Sequence, residues 1–173
     1  MSRLTIALIC LCSIATAQAD LKFYGEARLG AGGVRHSDLD FYPTFGSFSA
    51  GVFIFENIGV EAFVDAPLAA DTSGDFEVDI VEAAGAAIRF QSPPRNGVNA
   101  YMLLGFVNFE LEQEEDGAGT LEEDFSGARV SIGLNQRLKR FPGVLFGAEY
   151  RNYFSDSGIT VDGISLGLRF ELQ

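Results

Sequence analysis

From Leu21 to Ala31 the chain sets Leu21, Phe23, Ala27, Leu29 and Ala31 at odd positions and Lys22, Tyr24, Glu26 and Arg28 at even ones. A period of two marks a β-strand with one apolar and one polar face, because successive side chains leave a strand on opposite sides. The end of the chain repeats the pattern, with Ile164, Leu166, Leu168, Phe170 and Leu172 alternating with Ser165, Gly167, Arg169 and Glu171. Six further stretches have strand character: Tyr42 to Phe55, Ile58 to Ala66, Phe76 to Gln91, Val98 to Leu111, Phe125 to Leu138 and Val144 to Tyr153. Glu82 interrupts the alternation of the fourth strand. The fifth is apolar on both faces in its middle, which leaves its orientation open.

"ENIG", "SPPRNG" and "KRFPG" carry the turn chemistry of short connections, since proline cannot donate to a ladder and Asn-Gly favours a tight turn. The connections alternate in length: long after the first, third, fifth and seventh strands, short after the second, fourth and sixth. This predicts an all-β fold, an eight-stranded antiparallel up-and-down transmembrane β-barrel with both chain ends on the short-turn side. Tilted strands of about 9–11 residues cross a bilayer. A soluble β-sandwich would not need so many charges at alternate positions inside long two-faced strands. Closure also answers a hazard of the last strand, whose free edge would otherwise template aggregation.

Arg3 precedes an apolar run from Leu4 to Ala15, and Ala17 and Ala19 stand at signal-peptidase spacing. Residues 1–19 read as a secretory signal and 20–173 as the barrel domain, beginning at Asp20. The apolar run is shorter than the ~20 residues of a spanning helix. Cys10 and Cys12 both fall in the leader, and Ile9 and Leu11 before them do not suit lipid attachment. The barrel domain therefore has no disulfide, thiol nucleophile or cysteine ligand. The formal charge is -12, more negative still once Arg3 is lost. That excludes nucleic acid as a natural partner, because phosphate backbones call for a basic surface.

The leader, "YMLLGFVNFE" in the fifth strand, "GAEYRNYF" in the seventh and "GISLGLRFEL" in the last resemble the small outer-membrane β-barrels of Gram-negative bacteria, the type with an outer membrane protein A-like transmembrane domain. The resemblance covers the whole chain after the leader. It implies location in the bacterial outer membrane, insertion by the barrel assembly machinery, and contact with outer-membrane lipid and lipopolysaccharide as a monomer. It also implies a sorting signal in the last strand, matched here by Ser165, Gly167, Phe170 and Leu172. Family members often end on the aromatic residue, whereas Glu171, Leu172 and Gln173 follow Phe170 here.

With apolar faces toward lipid, Lys22, Glu26, Arg28, Glu61, Asp65, Arg89, Arg129, Glu149, Arg151 and Arg169 point inward, with Arg137 beside them. Eight strands enclose barely enough room for their own side chains, and a buried charge without a partner is expensive. These groups are expected to form a lumen charge network that plugs the barrel; pairs that open would instead give weak, porin-like permeation. Residues 110–124, "ELEQEEDGAGTLEED", fall in the expected third long loop with eight carboxylates and no base. Such a loop is solvated and resists aggregation, and hard oxygen ligands make divalent cations candidate partners, although the spacing defines no metal ligand.

Catalytic chemistry is thin. His36 is the only histidine, and its neighbours Ser37 and Asp38 are too close in sequence to converge as a triad. "SFSAG" lacks the first glycine of a nucleophile elbow. "YRNYFSDSG" faintly resembles an outer-membrane deacylase but has Asn152, Tyr153 and Phe154 where a histidine is required. No catalytic, cofactor or metal residue is assigned. The expected function is a non-enzymatic outer-membrane barrel with a structural or surface-interaction role; the competing class is a barrel enzyme acting on outer-membrane lipid.

Overall fold

Alternating side chains resolve into two walls only if the sheet closes, and it does. The computed structural model describes residues 21–36, 39–41, 43–69, 71–73, 76–115, 119–155 and 160–172. Eight long strands form the wall: β1 (Lys22–His36), β3 (Thr44–Phe55), β4 (Ile58–Ala69), β6 (Phe76–Gln91), β7 (Val98–Glu115), β8 (Gly119–Leu138), β9 (Phe141–Ser155) and β10 (Thr160–Leu172). Two short strands, β2 (Leu39–Phe41) and β5 (Asp71–Ser73), lie in the β1–β3 and β4–β6 connections. Each wall strand pairs antiparallel with its sequence neighbour, and β10 returns to β1 from Phe23↔Leu172 to Arg35↔Thr160. The last strand is thus paired on both sides and presents no edge.

The stagger of this closure can be followed residue by residue. From Val98 the paired positions run through Gln136, Phe146, Leu168, Ala27, Phe48, Val64 and Ala84, and return to β7 at Asn108, ten residues above the start. With a strand spacing of ~4.8 Å and a rise of ~3.3 Å per residue, that shear tilts the strands by about 41° and gives a backbone radius of about 8 Å. The lumen is therefore filled by side chains or not at all.

The outer wall is apolar where lipid meets it. On β7, Val98, Ala100, Met102, Leu104 and Phe106 are exposed before the face turns polar at Asn108. On β10 the corresponding run is Ile164 to Leu172, with Asp162 above it. Nine residues at that tilt climb about 22 Å, near the ~25 Å apolar band of outer-membrane barrels. Phe23, Phe55, Phe90, Phe141 and Phe170 are all exposed near the short-turn end, where aromatic rings gather at a membrane interface. No helix among the described residues is long and apolar enough to cross a membrane.

Several sequence expectations change. Residues 110–115 and 119–124 of the acidic stretch are strand rather than loop: β7 and β8 pair from Val98↔Gln136 up to Glu115↔Gly119, so they form the upper arms of one long hairpin. The interruption at Glu82 is a bulge, since Ile80 pairs with Leu111 and Glu82 with Glu110, and alternation counted from Val78 does not carry through it. Phe53 faces inward by alternation with Phe45 and Ser47, and a second bulge between Phe53 and Phe55 breaks that parity and leaves Phe55 exposed. The open orientation of the fifth strand is settled by Tyr101, Leu103 and Val107, which are buried, while Met102, Leu104 and Phe106 face out. The expected leader at residues 1–19 lies outside the described residues, as do Ser37 and Asp38.

Candidate functional site in the barrel lumen

Inward positions that alternate with the lipid-facing rows bring nine of the ten expected charges together. Glu26, Arg28, Glu61, Asp65, Arg89, Arg129, Glu149, Arg151 and Arg169 are all at most 5% exposed. Lys22 is the exception: it stands exposed at the first position of β1, where the strand has not yet entered the lumen. Arg137 is at the short-turn rim, half-exposed, and its Nη2 pairs with Glu171 at 2.6 Å.

Two carboxylates organise the cluster. Glu26 receives Arg28 Nη2 at 2.6 Å and Arg89 Nη2 at 2.7 Å, with Arg169 Nε at 3.7 Å. Glu149 receives Arg129 Nη2 at 2.9 Å and Arg151 Nη2 at 3.1 Å, with Arg28 Nε at 4.0 Å. Arg89 continues to Glu61 at 3.0 Å and Arg151 to Asp65 at 2.7 Å. A continuous path of opposite charges thus runs Glu61, Arg89, Glu26, Arg28, Glu149, Arg151, Asp65. Removing these groups from water costs several kcal/mol each, which only close pairing with further hydrogen bonds repays.

Those further bonds come from residues the charge pattern alone does not flag. Tyr24 donates to Glu61 at 2.8 Å, Tyr101 donates to Glu149 at 2.9 Å, and the Tyr153 hydroxyl donates to Asp65. Two of these share a construction. Tyr24, Gly51 and Glu61 occupy one paired row on β1, β3 and β4, and Tyr101, Gly133 and Glu149 occupy one on β7, β8 and β9. In each, the ring lies across the glycine to reach the carboxylate, and a β-carbon on the glycine would overlap the ring. Strong inward parity with tyrosine on one strand and glycine on the next is the signal that could have found them.

Every lumen guanidinium also lies over an aromatic ring. Arg129 is 3.9 Å from the centroid of Phe63, Arg89 4.0 Å from Tyr101, Arg169 4.1 Å from Tyr24, Arg151 4.8 Å from Phe45 and Arg28 5.7 Å from Tyr101. Stacking of this kind favours a desolvated cation. Ser131 accepts from Arg129 Nε at 3.1 Å, while Ser47 and Ser165 accept from Arg151 at 3.4 Å and 3.3 Å. These hydroxyls are committed to guanidiniums and have no base aimed at them among the described residues. Near Asp65, Arg151 and Phe45 one cavity of about 10 Å³ remains, the size of one water.

The four sorting-signal positions divide between the walls. Ser165 and Gly167 face the lumen, the glycine closely packed under Arg28 and the Ala27 carbonyl, while Phe170 and Leu172 are exposed on the lipid face. His36 lies on β1 in register with Leu39 of β2, away from the charge path. The side chains of the acidic stretch 110–124 are outside the described set up to Phe125, but its backbone register is informative. Glu82, Glu110 and Asp124 share one paired row across β6, β7 and β8, and Asp79, Glu112 and Glu122 share another. Glu77 is paired with Glu114 above them.

A closed, sheared, eight-stranded barrel with an apolar belt and a charge-filled lumen defines an integral outer-membrane β-barrel. The outer membrane protein beta-barrel domain family matches residues 4–171, and the chain belongs to that family. It is a protein of the bacterial outer membrane. No curated protein matches the sequence. Among solved structures, Neisserial surface protein A is similar with a TM-score of 0.66 at 18% identity, covering 87% of this chain and 97% of that one. Ail, the attachment invasion locus protein of Yersinia pestis, solved with the heparin analogue sucrose octasulfate, gives 0.64 at 13% identity over 89% and 100%. The N-terminal barrel of Pseudomonas aeruginosa OprF gives 0.56 at 12% identity over 84% and 97%. At these identities the likeness is one of fold.

Proposed function

We propose that this barrel is a non-catalytic, non-conducting outer-membrane scaffold whose role is structural or surface-interactive. The observation that carries the reading is the path of buried ion pairs from Glu61 to Asp65, held by tyrosine hydroxyls and covered by aromatic rings, which leaves no wide channel along the described lumen. Opening it would separate several desolvated pairs at once, each costly to break. Weak passive permeation is thereby disfavoured. A barrel enzyme acting on outer-membrane lipid is disfavoured by the commitment of Ser47, Ser131 and Ser165 to arginine and by the position of His36 on β1.

On this reading the wall strands serve as a rigid base for an acidic extension of β6, β7 and β8 above the outer leaflet, and the assembly signal Ser165, Gly167, Phe170 and Leu172 brings the chain to the barrel assembly machinery. The protein acts as a monomer in contact with lipopolysaccharide. Rows of like charge favour divalent cations or a polycationic surface as partners; a polyanion such as the sucrose octasulfate bound by Ail suits them poorly.

Planar-bilayer recording on the folded protein tests the scaffold reading, with no resolvable channel expected; a steady unitary conductance sinks it. Unchanged lipid profiles in cells carrying His36→Ala and Ser37→Ala are expected, and loss of a lipid modification would restore the enzyme reading. Calorimetry on the folded protein tests the cation partner: calcium uptake supports it, and no heat of binding removes it.

A further inference from the structure

Charge outside the lumen is divided between the two ends of the barrel. The long-loop end carries the acidic arms of β6, β7 and β8, and Arg35 is the one arginine or lysine among the described residues there. At the short-turn end stand Lys22, Arg95, Arg137, Lys139 and Arg140, with Glu56 and Glu171 the only carboxylates among the described residues. Arg137 and Glu171 satisfy one another at 2.6 Å. Lys22, Arg95, Lys139 and Arg140 are left exposed and without an ion pair among the described residues, against the single exposed carboxylate of Glu56. A basic rim is unexpected on a chain whose formal charge is -12.

Arg137 gathers the elements of this rim. Its backbone N–H donates to the Gly97 carbonyl at 2.8 Å, its Nη1 to the Pro142 carbonyl and its Nη2 to Glu171. The β6–β7 turn that carries Arg95 therefore lies against the end of β8, beside the two-residue turn of Lys139 and Arg140. Arg95 and Val98 exchange backbone hydrogen bonds at 2.8 Å and 3.0 Å around Asn96 and Gly97, both at positive φ. That is a tight hairpin tip, so the base it carries is held in place. Glu56 is diametrically opposite the β8–β9 turn in the strand order, at the β3–β4 turn.

An aromatic ring sets the level of the bases. Phe141 follows Arg140 directly and is 57% exposed, within the belt of rings at this end of the wall. Lys139 and Arg140 are one or two residues beyond it, about 3–7 Å along the chain, where a lipid carries its phosphate. The short turns of such barrels face the periplasm.

We propose that this basic arc docks the phosphodiester head groups of acidic glycerophospholipids in the periplasmic leaflet, with Arg95, Lys139 and Arg140 against the phosphates and Phe141 among the upper chain carbons. A two-chain phosphodiester meets both halves of the surface. A soluble polyanion would meet the bases and leave Phe141 in water. Basic residues beside an anionic leaflet gain from its surface potential wherever they stand within a Debye length. The proposal deepens the lipid contact of the scaffold reading and adds a leaflet preference to it. The two fail separately, because the closed lumen is tested by conductance and this arc by lipid selectivity.

The folded barrel in neutral detergent is mixed with equal amounts of phosphatidylglycerol and phosphatidylcholine of the same chains, and bound lipid is counted by native mass spectrometry. Phosphatidylglycerol adducts are expected to exceed phosphatidylcholine adducts about five-fold or more, the worth of one base at an anionic surface. The combined variant Arg95→Gln, Lys139→Gln, Arg140→Gln is expected to bring the ratio near one, while Glu112→Gln at the opposite end leaves it unchanged. If the combined variant does not give the compact folded band, Lys139→Gln alone is expected to lower the ratio at least two-fold. Equal binding of the two lipids by the wild type overturns the proposal, as does a preference that survives the loss of these bases. Co-sedimentation with peptidoglycan that the combined variant loses, while its lipid ratio stays that of the wild type, gives the surface to the cell wall and overturns it too.

Discussion

The Tyr101 hydroxyl reaches Glu149 at 2.9 Å by lying across Gly133, which stands between them in the same paired row. The contact depends on the missing side chain as much as on the two that meet. Gly133→Ala places a methyl in the ring and 2.6 Å from the Ala148 carbonyl oxygen, so Tyr101 must leave Glu149 or the strands must part. The expected loss is about 1–3 kcal/mol of unfolding free energy from overpacking, read by urea unfolding in lipid vesicles. Gly51→Ala should behave alike, because it lies under Tyr24 in the equivalent row. Tyr101→Phe removes the donor without the clash and should cost about 1–3 kcal/mol for the unsatisfied carboxylate. If Gly133→Ala in a Tyr101→Ala background, which removes the ring, costs as much as it does alone, the clash is with the Ala148 carbonyl and the tyrosine is incidental.

The two Tyr-Gly-Glu rows mark the limit of what the sequence makes legible. Period-two alternation in β1, β4, β8, β9 and β10 assigns lipid and lumen faces correctly, because an apolar belt on one side and charges on the other leave a single register possible. It fails where the period breaks. The bulges at Val81 and Ile54 each insert one residue; the charge at Glu82 on an otherwise apolar face is the one local sign of the first, and nothing in "VFIFEN" announces the second. It also fails in β7, where Leu103 and Val107 are apolar yet face inward, since a plugged lumen needs filler as well as charge. The charges themselves were recognisable by parity. Their partners were not, because Tyr24 and Glu61, 37 residues apart, meet only through the pairing register of β1, β3 and β4, and Tyr153 and Asp65, 88 apart, only across the closed lumen.

Arg89 and Lys22 make a matched test of the lumen assignment. Arg89 is fully buried and bridges Glu26 at 2.7 Å and Glu61 at 3.0 Å. Arg89→Met leaves two carboxylates short of a partner in low dielectric, and the expected cost is about 3–5 kcal/mol. Lys22 is exposed at the start of β1, and Lys22→Ala should stay within about 0.5 kcal/mol of wild type. Both are read as shifts in the heat at which the compact band converts to the unfolded one on cold-loaded gels. Comparable losses in the two variants would mean that Lys22 joins the charge path in the membrane-embedded protein.

Screening separates the buried pairs from the rim pair. Arg137 and Glu171 meet at 2.6 Å with side chains 38% and 26% exposed, so their attraction is open to salt and worth about 0–1 kcal/mol. Arg137→Gln should lower stability slightly at low ionic strength and have almost no effect at 1 M salt. Arg151→Gln, which breaks buried pairs to Asp65 and Glu149, should be strongly destabilising at both. A salt-dependent Arg151 variant would show that water reaches the upper lumen.

The acidic extension yields the opposite kind of prediction, a stabilising substitution. Glu112 stands directly opposite Asp79 on β6 and Glu122 on β8, and like charges opposite one another weaken a sheet by roughly 0.2–1 kcal/mol per pair. Sequence spacing along one strand conceals this, because the three residues come from three strands and meet only in register. Glu112→Lys turns two repulsive pairs into attractive ones and should protect the upper β7–β8 hairpin, read as slower amide exchange at Leu111 and Gln113 and as resistance to a glutamate-directed protease. Glu112→Gln should give about half the effect. The gain should shrink as salt is raised past the point where the Debye length falls below the strand spacing, roughly 0.5 M. Faster exchange in Glu112→Lys than in wild type would mean that Asp79, Glu112 and Glu122 do not share a paired row in the membrane-embedded protein, or that a bound cation already stabilises them.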